Sequence, residues 1–152
     1  MVERSEFTLA SALDATGLVW TTDGVAPWFP QTEVSNDGVD AAKSGTVPDG
    51  SSVSALQTTV AGAGSFTWVW KADIQGNAGV DLLLDGVWLD SYAIGEDWSR
   101  ETLTVADEGE HVIRFEFWNA GTGETLSDCA YVDRVSWTPA GGGSVVVGGV
   151  EI

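Results

Sequence analysis

A chain of 152 residues is long enough for one domain with its own core. Its 23 acidic residues against 6 Lys and Arg leave a net charge of −17. That argues against nucleic acid and anionic lipid as partners, because both need basic residues. No run of about 18 apolar residues is present to enter a membrane, and the lone Cys129 rules out an internal disulfide. The acidic balance fits a secreted or cell-surface protein, an acidic solvation shell, or calcium ligation.

In chain order, residues 1–16 are mixed and polar, with Phe7, Leu9 and Leu13 as anchors and the only helical period, ending at Ala15. The start lacks the basic residues and apolar run of a signal peptide, which fits a module excised from a longer exported chain. Leu18 to Thr21 reads as a first short strand, turned by Asp23-Gly24. Pro27-Trp28-Phe29-Pro30 reads as a rigid aromatic loop, since each proline fixes φ. Gln31 to Ser35 and Val39 to Ser44 read as short strands separated by Asn36-Asp37-Gly38. Pro48-Asp49-Gly50 is a further turn, and Val53 to Val60 a further strand.

Gly62-Ala63-Gly64 then opens the strongest strand. Phe66, Trp68, Trp70, Ala72 and Ile74 share one parity there, the pattern of a core strand. Asp85-Gly86, between apolar runs, predicts a two-residue hairpin. Such a loop pairs Leu84 with Val87, Leu83 with Trp88 and Leu82 with Leu89. It also sets Asp81 opposite Asp90, two like charges that must face water, meet a cation, or mark another register; water is the expectation.

Residues 98–105 form the next strand. In the one after it, Ile113, Phe115 and Phe117 alternate with Arg114, Glu116 and Trp118. After a glycine-rich acidic loop, the last strand places Ala130 and Val132 on one face but Val135 and Trp137 on the other parity. That switch predicts a bulge near Asp133 that re-aims its carboxylate. Eight to ten short strands at this spacing indicate an all-β fold, an antiparallel two-sheet jelly-roll sandwich. Its extent is residues 1–139, with residues 140–152 a Gly-rich linker and the start of a following segment.

The order of these motifs resembles a family. A GxG turn leads into an aromatic strand ending Trp70-Lys71, and a hairpin follows. Then come Trp98, the Phe115-Glu116-Phe117 strand, and Asp128-Cys129-Ala130-Tyr131-Val132-Asp133. Together with Leu13-Asp14-Ala15, Pro27-Trp28-Phe29 and the run from Asp37 to Ala42, the succession is similar to MAM-like and concanavalin-like jelly rolls. It also resembles the carbohydrate-binding-module-like repeats of bacterial secreted and surface proteins. The likeness covers residues 8–139 and departs from animal MAM domains in lacking paired cysteines. It implies a non-catalytic extracellular module, binding a polysaccharide, a cell-surface glycan or neighbouring domains of its parent chain, with calcium common in such folds.

Two chemistries follow from the residues themselves. Hard cations need several oxygen ligands: Asp37 and Asp40 share a turn, Asp128 and Asp133 flank a strand end, and Glu124 lies in the loop before them. Turn capping is the plainer role for each. Exposed aromatic rings stack on sugars: Trp118 shares the polar parity with Arg114, Trp88 sits on the face of Asp81, Asp90 and Tyr92, and Trp28 lies in the proline-braced loop. Burial is the plainer role for any one tryptophan. Catalysis lacks material. There is a single histidine, His111; Cys129 reads as a buried inert thiol; Lys71 could pair with Asp73 or another acid, with a buried isopeptide crosslink as the remoter alternative. The reading is a carbohydrate-binding module, with a structural or adhesive spacer as the alternative.

Overall fold

The computed structural model describes residues 8–48, 52–74, 77–92, 97–120, 128–140, 147–148 and 150–151. A one-turn helix, α1 (Leu9–Ala12), precedes ten strands: β1 (Trp20–Gly24), β2 (Phe29–Gln31), β3 (Ala41–Lys43), β4 (Val53–Ala61), β5 (Gly64–Asp73), β6 (Ala78–Leu84), β7 (Val87–Tyr92), β8 (Ser99–Val105), β9 (Glu110–Asn119) and β10 (Cys129–Pro139). Two antiparallel five-stranded sheets result, ordered β1-β4-β9-β6-β7 and β2-β3-β10-β5-β8. A separate pair, β11 (Val147–Gly148) and β12 (Val150–Glu151), follows. The loop at Gly121–Ser127, with Glu124, and the Asp49-Gly50 turn lie outside the described residues.

The period-two patterns of β5 and β9 build the core. Phe66, Trp68 and Trp70 from one sheet meet Ile113, Phe115 and Phe117 from the other. The rings of Trp68 and Phe115 meet edge to face at 5.3 Å, a favoured aromatic geometry. Asp23-Gly24 is not a turn but the end of β1, where Gly24 takes a φ of 98°. A Cβ there would lie 2.1 Å from the Val53 carbonyl oxygen, so the close approach of β1 to β4 requires glycine.

The Asp85-Gly86 hairpin forms with φ of 54° and 83°, the left-handed pair of a type I′ turn. Its register is not the one expected. Leu84 faces Val87 and Leu83 faces Trp88, but Leu82 faces Asp90 and Asp81 faces Ser91. Leu89 is the extra residue of a bulge, which takes the two carboxylates out of direct opposition.

The hairpin tip is tied to β9. Asp85 Oδ2 lies 2.8 Å from His111 Nδ1, its Oδ1 accepts from the Val112 amide at 2.8 Å, and His111 Nε2 lies 2.8 Å from the Asp107 carbonyl oxygen. Only protonated imidazole donates at both nitrogens. These bonds to Asp85 and Asp107 raise the His111 pKa above 6.5, and the His111 contact lowers that of Asp85 below 3.8. The pair therefore contributes fully between pH 3.8 and 6.5. It fades as pH rises through the raised histidine value, and again as pH falls through the lowered aspartate value. Denaturant midpoints followed from pH 6 to 9 should decline in the native protein and lose this component in His111→Gln. Parallel profiles would disprove the assignment.

Candidate functional site

The bulge in β10 builds the first feature. Pairing with β5 slips between Asp133 and Ser136, and Arg134 takes a φ of 50°. Ala130, Val132 and Val135 thereby all reach the core, while Asp133 is left facing outward, yet fully buried under the 32–40 segment. Asp133 Oδ2 accepts from the amides of Asn36 (2.8 Å) and Asp37 (3.2 Å), and its Oδ1 from Arg134 (2.8 Å). Asp37 Oδ1 accepts in turn from the amides of Val39 (2.8 Å) and Asp40 (3.2 Å), an Asx turn. Asp14, just past α1 with a φ of 61°, completes the group. One carboxylate oxygen from each of Asp14, Asp37 and Asp133 lies within 4.8 Å of the others.

Asp40 sits against this cluster at 6% exposure, and among the described residues no donor reaches its carboxylate. Burial, then the charges of Asp37 and Asp133, raise its pKa. Burial and the hydrogen bond and charge of Asp37 push Asp14 up to about 7. Burial also raises Asp133, with Asp37 adding to it against the Asn36 and Arg134 amides. Only Asp37 is held low: burial opposes ionisation there, but the Val39 and Asp40 amides outweigh it. The site is thus several hard oxygen donors short of positive charge. Asp128 is not among them. It is buried beside Ser44 and Thr46, five residues up β10 from Asp133, or about 16 Å along a strand.

The second feature lies on the outer face of the first sheet. The indole of Trp118 lies across Gly79, where a Cβ would come within 2.9 Å of the ring. Its Nε1 donates to Asp81 Oδ1 at 3.0 Å. The Ser91 hydroxyl donates to the same oxygen at 2.6 Å and accepts from Trp88 Nε1 at 3.0 Å. Asp81 and Ser91 therefore hold two indoles on one polar surface, with Trp88 56% exposed.

The remaining expected contacts fall elsewhere. Trp28 is 2% exposed, packed in the core with its Nε1 donating to the Ser54 carbonyl at 2.8 Å, so it has no free ring face. Tyr92 turns inward because the Leu89 bulge reverses its parity. Its ring packs 5.1 Å from Trp70 and 6.4 Å from Trp68, and burial raises its hydroxyl to about 12. Arg114 is a clamp across three strands: it donates twice to Asp23 (2.8 Å each), once to Gln57 (3.0 Å) and through Nε to Glu116 (2.6 Å). Those bonds leave one of five N–H donors for anything else. Cys129 is buried, which pushes its thiol pKa up, the setting of an inert sulfur.

No family model matches the chain, and no curated protein matches it. Solved structures do share its fold. The K1 cleaved adhesin domain of Lys-gingipain from Porphyromonas gingivalis W83 matches with a TM-score of 0.63 at 13% identity, covering 79% of this chain and 90% of that one. The secreted serine protease VesC from Vibrio cholerae matches at 0.62 and 16% identity over 78% of this chain, which spans only 24% of VesC. TmCBM61, solved in complex with β-1,4-galactotriose, matches at 0.54 and 10% identity over 88% of this chain and 95% of that one. The fold is the β-sandwich shared by carbohydrate-binding modules and these adhesin domains.

Proposed function

We propose that this domain is a non-catalytic, extracellular binding module whose ligand is carbohydrate, carried in a larger secreted or cell-surface protein with residues 140–152 as the linker. The observation that carries the reading is the exposed ring of Trp88, fixed through Ser91 and Asp81 to the indole of Trp118. Rings locked by hydrogen bonds lose little entropy when a sugar stacks on them. The galactotriose bound to TmCBM61, a sandwich of the same kind, supports this ligand class. Binding to a panel of neutral polysaccharides should fall at least about tenfold in Trp88→Ala and Trp118→Ala, the loss of one well-placed aromatic contact. Trp88→Ala should leave the melting midpoint unchanged. No binding across the panel would sink the reading.

The acidic cluster is the proposed place of a calcium ion, with Asp14, Asp37, Asp40 and Asp133 as its carboxylate ligands. The unsatisfied, buried Asp40 is the feature that fits a cation. There the ion would pin α1 and the 32–40 segment to β10. A second reading, an adhesive spacer without a small ligand, draws on the likeness to the gingipain adhesin domain. It is distinguished by function that survives loss of both indoles.

A further inference from the structure

The outer face of the second sheet carries a row of side chains centred on Tyr131, whose own ring is buried at 6% exposure. Register aligns Phe29 with Lys43, Lys43 with Tyr131, and Tyr131 with Lys71 across four neighbouring strands. Trp98, directly before Ser99 (the partner of Trp70), carries the row to the fifth strand. Its ring lies 6.5 Å from that of Tyr131. Lys43 Nζ stands 6.0 Å from the Phe29 ring centre and 5.8 Å from that of Tyr131. By register the row therefore alternates ring, lysine, ring, lysine, ring, with the Lys43 ammonium held between two of the rings.

Lys43 and Lys71 are the only lysines in the chain. With 23 acids in the chain, partners for both are plentiful. Yet among the described residues neither ammonium lies within ion-pair distance of a carboxylate, Asp73 included; the ion pairs belong to His111 and Arg114. An ammonium over ring faces keeps its charge available to an incoming anion. Phe29 is 40% exposed and, with Lys43, separates a surface hollow of about 340 Å³ from a smaller one of about 150 Å³.

Spacing selects the ligand. Neighbouring strands lie about 4.8 Å apart, so the two lysines stand about 10 Å apart at the backbone, between the rings of Phe29 and Trp98 at the two ends of the row. That spacing suits alternate residues of an extended pyranose chain. The negative field of the rest of the chain opposes a polyanion at long range, but it is screened beyond about 8 Å at physiological salt. Nearer carboxylates remain, Glu33 at the larger hollow and Asp128 at the smaller, so the two lysines have to outweigh them at contact range.

We propose that this row binds an acidic polysaccharide of the polyuronate class, its sugar faces stacked on Phe29 and Trp98 and its carboxylates paired with Lys43 and Lys71. The proposal rests on the carbohydrate reading but places charged ligands on the face opposite Trp88 and Trp118. The test is titration of the intact chain, in calcium, with oligogalacturonates, with their methyl esters, and with neutral galactan and xylan oligomers. Oligogalacturonate should bind, weaken about tenfold or more on esterification, and weaken again with added salt. Lys43→Gln and Lys71→Gln should each cost about five- to tenfold at unchanged melting midpoint, and Phe29→Ala should weaken binding without altering the salt dependence. Equal binding of acid and ester would overturn the proposal, as would losses confined to Trp88→Ala. Binding of neutral oligomers alone would overturn it while leaving the module reading intact; silence toward every oligomer would end both.

Discussion

Calcium added to metal-free protein should raise the melting midpoint, and Asp133→Asn should abolish the gain. A ligand held only by the native state contributes about 2.7 kcal/mol at 100 times its Kd. For a domain of this size that is about 5–10 °C. The sign of the pH dependence follows from Asp14, whose pKa rises from 3.8 to about 7 in the folded chain. A raised carboxyl contributes stability below pH 3.8 and loses it as pH climbs to about 7, because the ionised cluster repels itself. A calcium ion bound there would compete with that proton, so its stabilising effect should grow through the same window. Thermal melts at pH 4, 5.5 and 7, with calcium and with chelator, measure both. A midpoint indifferent to calcium at pH 7 would remove the ion from the cluster.

The second large effect lies in the core. Phe115, 1% exposed, stands at the centre of β9, with Trp68 5.3 Å and Phe66 6.4 Å away between ring centres. Phe115→Ala removes a central contact between the two sheets and leaves a cavity that the rings of Trp68 and Phe66 cannot collapse to fill. The expected loss is about 3–5 kcal/mol, a large share of the roughly 5–15 kcal/mol that holds a domain together. Phe115→Leu should recover more than half of it. Chemical denaturation with an unchanged m-value checks the comparison. A cost below about 1 kcal/mol would mean that the sheets are joined elsewhere.

What the sequence revealed followed from periodicity. The alternation in β5 and β9 identifies their buried faces because a strand repeats every two residues. The β10 bulge was legible for the same reason, as a parity switch between Val132 and Val135. On sequence alone the opposition of Asp81 and Asp90 reads as two carboxylates facing water, whereas the bulge at Leu89 removes it by shifting the register. Long-range partnerships were not legible. Asp14 joins Asp133 across most of the chain, and its only local mark is its position behind a helical stretch. Arg114 looked free for a ligand because Asp23, its partner, lies 91 residues away. Trp28 looked displayed because prolines flank it, whereas Ser54 draws its indole into the core.

The Leu89 bulge bears on more than two carboxylates. β7 is the outermost strand of its sheet, with Val87, Trp88 and Leu89 all open to solvent. A straight, apolar margin of that kind is a template for self-association, each molecule extending the sheet of the next. One surplus residue breaks the rhythm of unpaired amides and carbonyls along it, so a second copy finds no continuous ladder to join. The irregularity that turns Tyr92 inward thus also interrupts the exposed edge of the sheet.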